Sequence, residues 1–148
     1  MANSILIPLS DSISSRAVIN FLSNLAVCPE DAEITLLHLF RQPSASEELM
    51  GKKFTAEMPS KAKAMLEHAK DLLVESGFNP NRIKISLITD LYATIADGII
   101  DQCSNQDYDL IVIGRKHMSK AEEFVRGDVS VRLIRALKGS AVLVVKAE

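Results

Sequence analysis

The sequence predicts a single α/β domain, residues 1–148, with an open parallel five-stranded sheet and helices on both of its faces. Two observations support this prediction. Five short apolar runs alternate with four segments of helical periodicity, which gives the order βαβαβαβαβ. The composition is ordinary for one globular domain, with 47% apolar and 24% charged residues in 148. Because parallel crossovers are right-handed, few topologies remain.

The first elements are predicted from apolar runs and spacing. Ser4–Leu9 is a short apolar run between polar residues, which predicts a strand. Apolar residues then recur every four positions to about Ala26, which predicts a helix. Asp11 or Ser12 is its predicted N-cap. Glu33–Phe40 is β-rich and predicts the second strand.

The middle of the chain contributes a long loop, a helix and a strand. Gln42–Lys53 is rich in small and polar residues and longer than most connections, so we predict a mobile or functional loop. From about Met58 the apolar spacing predicts a second helix that ends at Gly77, which suits the position after a helix. Arg82–Thr89 alternates apolar and polar residues, which predicts a third strand at an edge of the sheet.

The last third of the chain completes the alternation. Tyr92–Cys103 has helical periodicity and predicts the third helix, and Leu110–Ile113 predicts the fourth strand. The fourth helix is predicted from about Asp128 to Leu137, and Ala141–Val145 predicts the fifth strand.

Charge and composition disfavour several classes of function. A formal net charge of −2 gives no sign of a nucleic-acid or membrane partner. The amino-terminal apolar run has no basic residue ahead of it, so we expect no signal peptide and a cytoplasmic location. Cys28 and Cys103 lack metal or redox spacing and are interpreted as core thiols. No metal site is expected, and His68 is predicted to be solvated.

The candidate site lies where the predicted strands end. Ligands of open parallel sheets bind beyond the carboxyl ends of the strands, at the point where the winding reverses. If the first strand is central, the loop 8–12 and the loop that begins at Gly114 line this crevice. Gly127 follows thirteen residues after Gly114, just before a predicted helix whose first N–H groups would face an anion.

Over nearly its whole length the chain resembles the universal stress protein family, from ILIPLSDSISSRAV through LLHLF to DLIVIG and VRLIRALKGSAVLVVK. The resemblance implies the strand order 3-2-1-4-5. Members that bind ATP carry G-2x-G-9x-G-[ST] after the fourth strand and an Asp at the end of the first. Gly114 and Gly127 match the first and third glycines, while His117 and Asp128 stand at the second glycine and the hydroxyl position. The aspartate position falls on Ser10, and Asp11 comes one place later.

These departures predict weakened or lost ATP binding. His117 puts a bulky ring where bare backbone would approach the phosphates. Asp128 cannot donate a hydrogen bond when ionised, and a carboxylate within about 4 Å of a phosphate charge costs on the order of 1–4 kcal/mol. Asp128 also suits the N-cap of the fourth helix. The basic residues from Arg115 to Arg126 form either a solvated loop or a side-chain site for an anion.

Two main functional hypotheses follow, and neither requires turnover. The first is a cytoplasmic stress-response or regulatory protein with a degenerate nucleotide pocket. The second is a working ATP or AMP site with at most slow hydrolysis, in which Ser130 replaces the lost hydroxyl. An FMN carrier is a third, weaker hypothesis, and the sequence has no G-x-S-x-G hydrolase elbow. The candidate ligand-lining residues are Pro8, Leu9, Ser10, Asp11, His38, Gly114, Arg115, His117, Gly127, Asp128, Val129 and Ser130.

The fifth strand predicts a partner. In the order 3-2-1-4-5 it lies at a sheet edge, yet its run AVLVV has no charge or proline to protect it. A second copy of the same strand would cover it, and the resemblance implies the same kind of dimer. We therefore expect a homodimer through Ala141, Val142, Leu143, Val144 and Val145.

Overall fold

The structure, a computed structural model, describes residues 3–10, 12–25, 29–41, 59–115 and 129–147. Five parallel strands form one sheet in the order β3-β2-β1-β4-β5, which confirms the predicted fold class and strand order. The strands are β1 (Asn3–Pro8), β2 (Ala32–Arg41), β3 (Ile83–Tyr92), β4 (Leu110–Arg115) and β5 (Ala141–Lys146). The helices are α1 (Ser12–Asn24), α2 (Pro59–Glu75), α3 (Ile95–Asn105) and α4 (Val129–Ala136).

The helices divide between the two faces of the sheet. One apolar cluster joins α1 and α2 to the strand side chains of one face, and includes Ile7 and Leu66. A second cluster joins α3 and α4 to the opposite face, and includes Leu6 and Leu133. Neighbouring residues of β1 therefore belong to different clusters, as the alternation of side chains along a strand requires. The central strand is buried from both sides.

The end of α2 shows why Gly77 stops the helix. Gly77 adopts a φ of 103°, in the left-handed region that glycine enters without steric cost. Its N–H donates to the Val74 carbonyl at 3.0 Å, and the Phe78 N–H donates to the Leu73 carbonyl at 3.1 Å. This pair of bonds is the Schellman motif, and Phe78 is buried in the same cluster as Leu73. The predicted helix end at Gly77 is confirmed.

The predicted start of α3 at Tyr92 is wrong. Tyr92 is the last residue of β3, where it pairs with Arg41 of β2. The helix begins at Ile95 because the Thr94 hydroxyl caps it, accepting from the Asp97 N–H at 3.1 Å. Helical spacing alone extended the helix too far toward the strand.

The edge strand β3 is confirmed, and it carries an irregularity. Its pairing with β2 runs regularly as far as Leu39 with Ile88 and resumes at Phe40 with Leu91. Thr89 and Asp90 are therefore extra residues on β3, and both are exposed. Such a bulge interrupts the regular ladder of an edge strand.

Several predictions fall on residues outside those described. These are Asp11 as an N-cap, Cys28 as a core thiol and the Gln42–Lys53 loop. In the described part of the chain, no helix is long and apolar enough to cross a bilayer.

Helix α3 approaches the sheet closely at Gly98. A Cβ at this position would lie 2.8 Å from Cδ1 of Leu39 and 3.0 Å from Cδ2 of Tyr92. Leu39 is buried in the second cluster, so it cannot move aside without disturbing its neighbours. The lack of a side chain at Gly98 sets the distance between α3 and β2.

We expect Gly98→Ala to lower the free energy of unfolding by about 1–3 kcal/mol, because the new methyl overfills a packed contact. Urea denaturation measures the change. In the double variant Gly98→Ala/Leu39→Val the shorter side chain makes room, so the loss should be smaller than the sum of the two single losses. Additive losses would contradict this steric explanation.

Candidate functional site

The central strand β1 pairs unequally with its two neighbours. With β2 it stays in register from Asn3 with Ala32 to Pro8 with Leu37. With β4 the register covers only Ile5 with Leu110 and Leu6 with Ile111, although both strands are described beyond these pairs. The two strands therefore separate toward their carboxyl ends. This opening lies at the reversal of winding, where parallel α/β sheets bind ligands.

One wall of the opening is the tip of β1. Pro8 and buried Leu9 end the strand, and exposed Ser10 follows before α1 begins. The Leu9 N–H donates to the Leu37 carbonyl at 2.8 Å, which continues the contact with β2 by one residue. His38 lies beside this tip on β2, only 3% exposed, with its Nδ1 2.8 Å from the Leu9 carbonyl oxygen. His38 is thus a buried, hydrogen-bonded strand residue beside the tip of β1.

The opposite wall is the end of β4. Gly114 and Arg115 are half-buried there and lie in register with Val145 and Lys146 of β5. The Ala147 N–H donates to the Arg115 carbonyl at 2.8 Å, so β5 supports β4 to its last residue. Gly114 therefore lies near the carboxyl end of the fourth strand, as predicted, but the loop does not begin there, because Gly114 and Arg115 still pair with β5.

The first turn of α4 reaches the same end of the sheet. Because β4 and β5 are parallel neighbours, the helix between them has to run back from the carboxyl end of β4. Its first residues, Val129 and Ser130, consequently lie toward the opening, where N–H groups at a helix start attract anions. Ser130 is only 8% exposed, an unusual burial for a hydroxyl side chain.

Eight of the twelve predicted ligand-lining residues are thus placed at the carboxyl end of the sheet. The structure puts Pro8, Leu9 and Ser10 on one strand tip, His38 on the next strand, and the other four on β4 and α4. The remaining predicted residues, Asp11, His117, Gly127 and Asp128, lie outside the described residues.

A polar contact that the sequence analysis missed ties α4 to α3. Arg132, in the first turns of α4, donates to the Thr94 hydroxyl at 2.8 Å and to the Asp97 carboxylate at 2.6 Å. The hydrogen bond from Arg132 holds the pKa of Asp97 below its ordinary value, and the bond with Thr94 adds to this effect. The start of α3 and the start of α4 are therefore linked beside the opening.

The sequence contained half of this signal. Thr94 and Asp97 have the spacing [ST]-x-x-[DE], which marks a helix start before an apolar run. It would have placed the start of α3 at Ile95. Nothing in the local sequence names Arg132 as the partner, because the two helices meet only in the folded chain.

Other reactive groups of the described residues show no catalytic arrangement. Burial raises the pKa of the Cys103 thiol, and its side chain packs against the second apolar cluster. The Tyr92 hydroxyl donates to Asp101 at 2.7 Å, and this bond raises the pKa of Tyr92. His68 is exposed on α2, as predicted. Within the described ranges, no three His, Cys, Asp or Glu residues come together to hold a metal ion.

The fold and its opening define a class: doubly wound α/β proteins with a ligand crevice at the carboxyl ends of the strands. The sequence model of the universal stress protein family matches residues 1–146, and the chain belongs to that family. The predicted resemblance is thereby confirmed. The search of curated proteins found no match.

Three solved structures illustrate the likeness of the fold. A hypothetical protein whose structure served to assign its biochemical function is 21% identical with a TM-score of 0.69, covering 100% of this chain and 98% of its own. A universal stress protein in complex with cAMP is 18% identical with a TM-score of 0.65, covering 99% and 98%. A universal stress protein family protein from Arabidopsis thaliana with AMP bound is 19% identical with a TM-score of 0.63, covering 99% and 92%.

The link between α3 and α4 generates a prediction about acid stability. We expect Arg132→Gln to lower the free energy of unfolding near neutral pH by about 0.5 kcal/mol, because both side chains are partly exposed. Asp97 has a lowered pKa in the folded protein, so its contribution is present above the ordinary carboxyl pKa and is lost as the pH falls below it.

Urea denaturation at neutral pH and at about pH 2.5 separates these cases. The difference between Arg132→Gln and the wild type should be smaller in acid. Arg135→Gln removes the same charge from an exposed position on the same helix and serves as the control. An equal loss at both pH values, or an equal loss in the control, would argue against the ion pair as the cause.

Proposed function

We propose that this chain is a cytoplasmic, non-catalytic binding protein of the stress response that acts as a homodimer. Its crevice takes an adenine nucleotide with one phosphate, such as AMP, and binds ATP only weakly. The observation that carries the proposal is the separation of β1 from β4 beyond Leu6 and Ile111. It leaves an opening between two strands, beside the start of a helix, in a fold that binds ligands there.

Two kinds of support favour a nucleotide as the ligand. The first turn of α4 offers backbone N–H groups on the side of the opening, and Ser130 is a buried residue of this turn. Two proteins of the same fold have been solved with cAMP and with AMP. Each of these nucleotides carries a single phosphate group.

The sequence beside α4 supports a preference against a triphosphate. Asp128 directly precedes the helix in sequence, and a negative charge beside a helix start opposes the binding of phosphate charge there. Repulsion grows with the charge of the ligand, and AMP carries about half the charge of ATP at neutral pH. His117 stands where ATP-binding relatives have a glycine, which keeps the backbone further from a phosphate chain.

A second candidate function, full ATP binding with slow hydrolysis, is favoured by the basic residues of the same interval. Arg115 at the end of β4 is followed by Lys116, Lys120 and Arg126 in sequence. These side chains would offset the charge of Asp128 if they turn toward the ligand. The affinity for ATP relative to AMP distinguishes the two candidates.

The open edge of β5 supports the dimer. The Ala141 N–H donates to the Asp109 carbonyl at 3.0 Å, and the Ala147 N–H donates to Arg115. Because the direction of backbone groups alternates along a strand, the N–H and carbonyl groups of Val142 and Val144 point away from β4. They form a template for another strand at the edge of the sheet.

Exposed apolar side chains flank this edge on both sides. Phe21 of α1 is 41% exposed and Leu25, just after the helix, is 37% exposed, and α1 packs against β5 on one face. Val131 and Ile134 of α4 are 41% and 65% exposed, and α4 packs against β5 on the other face. A second copy that pairs with β5 would remove part of this apolar surface from water.

We expect the wild type to bind AMP more tightly than ATP, and Asp128→Ser to raise the affinity for ATP by roughly fivefold to a thousandfold. Removal of the carboxylate relieves the repulsion and restores a hydroxyl donor. Isothermal titration calorimetry with both nucleotides measures the change. Adding His117→Gly should raise the ATP affinity further.

The matched control is Asp107→Ser, which removes the same charge at the amino end of β4, away from the opening. It should leave both affinities unchanged. Micromolar binding of ATP by the wild type would contradict the proposed weakness. Absence of binding by AMP would refute the nucleotide site itself.

We expect the wild type to be a dimer at tens of micromolar and Val144→Pro to be a monomer. Proline at this position removes an N–H that points away from β4, so the ladder between β4 and β5 stays intact. Edge strands tolerate proline at such positions. Sedimentation velocity gives the mass, and circular dichroism checks that the variant is folded.

Val144→Thr is the matched control, because it keeps both the β-branched shape and the N–H group. It should remain a dimer. A monomeric wild type, or a folded Val144→Pro variant that still forms dimers, would exclude association through the edge of β5.

A further inference from the structure

The buried imidazole of His38 occupies an unusual place in the sheet. His38 directly follows Leu37, which is the last residue of β2 in register with β1. The ring is 3% exposed and meets Phe40 edge to face, with 5.0 Å between the ring centroids. Such a contact fixes the plane of the ring. The side chain therefore has a defined direction at the point where the backbone ladder of β1 stops.

The hydrogen bond of this ring defines which nitrogen carries the hydrogen in the neutral form. Nδ1 lies 2.8 Å from the carbonyl oxygen of Leu9. A carbonyl oxygen only accepts, so Nδ1 carries the hydrogen and donates it. In the neutral ring the lone pair is then on Nε2. This tautomer is a consequence of the contact with Leu9.

Leu9 is consequently held by β2 at both of its backbone groups. Its N–H donates to the Leu37 carbonyl at 2.8 Å, and its carbonyl accepts from His38. On the opposite side, β4 pairs with β1 no further than Leu6. The tip of β1 therefore borders the opening on one side and depends on β2 for its support on the other.

We propose that His38 is a positioning residue for the nucleotide crevice: its Nδ1–H holds the Leu9 carbonyl and thereby fixes the turn that presents Ser10 to the ligand. The inference rests on the proposed function, because it assigns a role within that site. The bond itself needs no ligand, because it holds the strand tip in the unliganded protein as well. His38 acts through Leu9 and does not contact the phosphate.

Two substitutions separate the bond from the bulk of the ring. In His38→Asn the amide nitrogen lies close to the position of Nδ1 and still donates to Leu9. In His38→Leu the side chain fills the same space but has no donor. We expect His38→Leu to weaken AMP binding by about three- to tenfold, and His38→Asn to restore most of the affinity.

Amide hydrogen exchange and the ¹⁵N shifts of the imidazole test the bond without any nucleotide. The wild type should show a protonated Nδ1, and His38→Leu should exchange the amides of Leu9 and Ser10 faster than the wild type. His68→Leu, at an exposed position of α2, is the control and should change neither exchange nor affinity. Urea denaturation shows whether the two His38 variants are equally stable.

The outcomes separate the inference from the proposed function. Unchanged exchange at Leu9 and Ser10 in His38→Leu, or a wild-type ring with its lone pair on Nδ1, would overturn the positioning role. Equal affinity losses in the Asn and Leu variants would also overturn it, because the donor would then not matter. If the wild type binds no AMP while exchange changes as expected, the nucleotide site is refuted and the bond to the strand tip stands.

Discussion

The unequal pairing of the central strand is the constraint on which the rest of this structure depends. β1 has to stay bonded to β2 along its length, or the sheet would lose its centre. It has to leave β4 after two residues, or no opening would exist at the reversal of winding. The apolar clusters on both faces hold β1 in place through Leu6 and Ile7, so the separation of its tip does not loosen the strand. Packing thus fixes the strand, and the missing pairs create the opening that forms the candidate site.

The helices and strands could be predicted from the spacing of apolar residues. Their first and last residues could be predicted only where a particular residue marks the end. Gly77 marked the end of α2 because only glycine enters the left-handed region without cost. The predicted helix start at Tyr92 was wrong: its spacing from later apolar residues fits a helix, but its backbone pairs with Arg41 of β2. Pairing between strands overrides local preference, and the helix start at Ile95 depends on the cap that precedes it.

The location of the candidate site could be predicted from the sequence, but the contacts between its residues could not. The order of strands and the rule for parallel sheets put Gly114 and Ser10 at the same end of the molecule. The bond between His38 and Leu9, and the contact of Arg132 with Asp97, join residues 29 and 35 positions apart. No pattern in a single sequence predicts contacts between residues so far apart, because these contacts depend on how the helices and strands pack in the folded chain.

The two edges of the sheet are built differently, and this difference would limit the size of the proposed assembly. β3 is interrupted by two extra residues, Thr89 and Asp90, whereas β5 pairs regularly with β4 and has an unbroken apolar core. If both edges accepted a strand, copies would join head to tail and grow into filaments. The proposed association through β5 would close on itself after the second molecule, because each copy would then keep only the interrupted edge of β3.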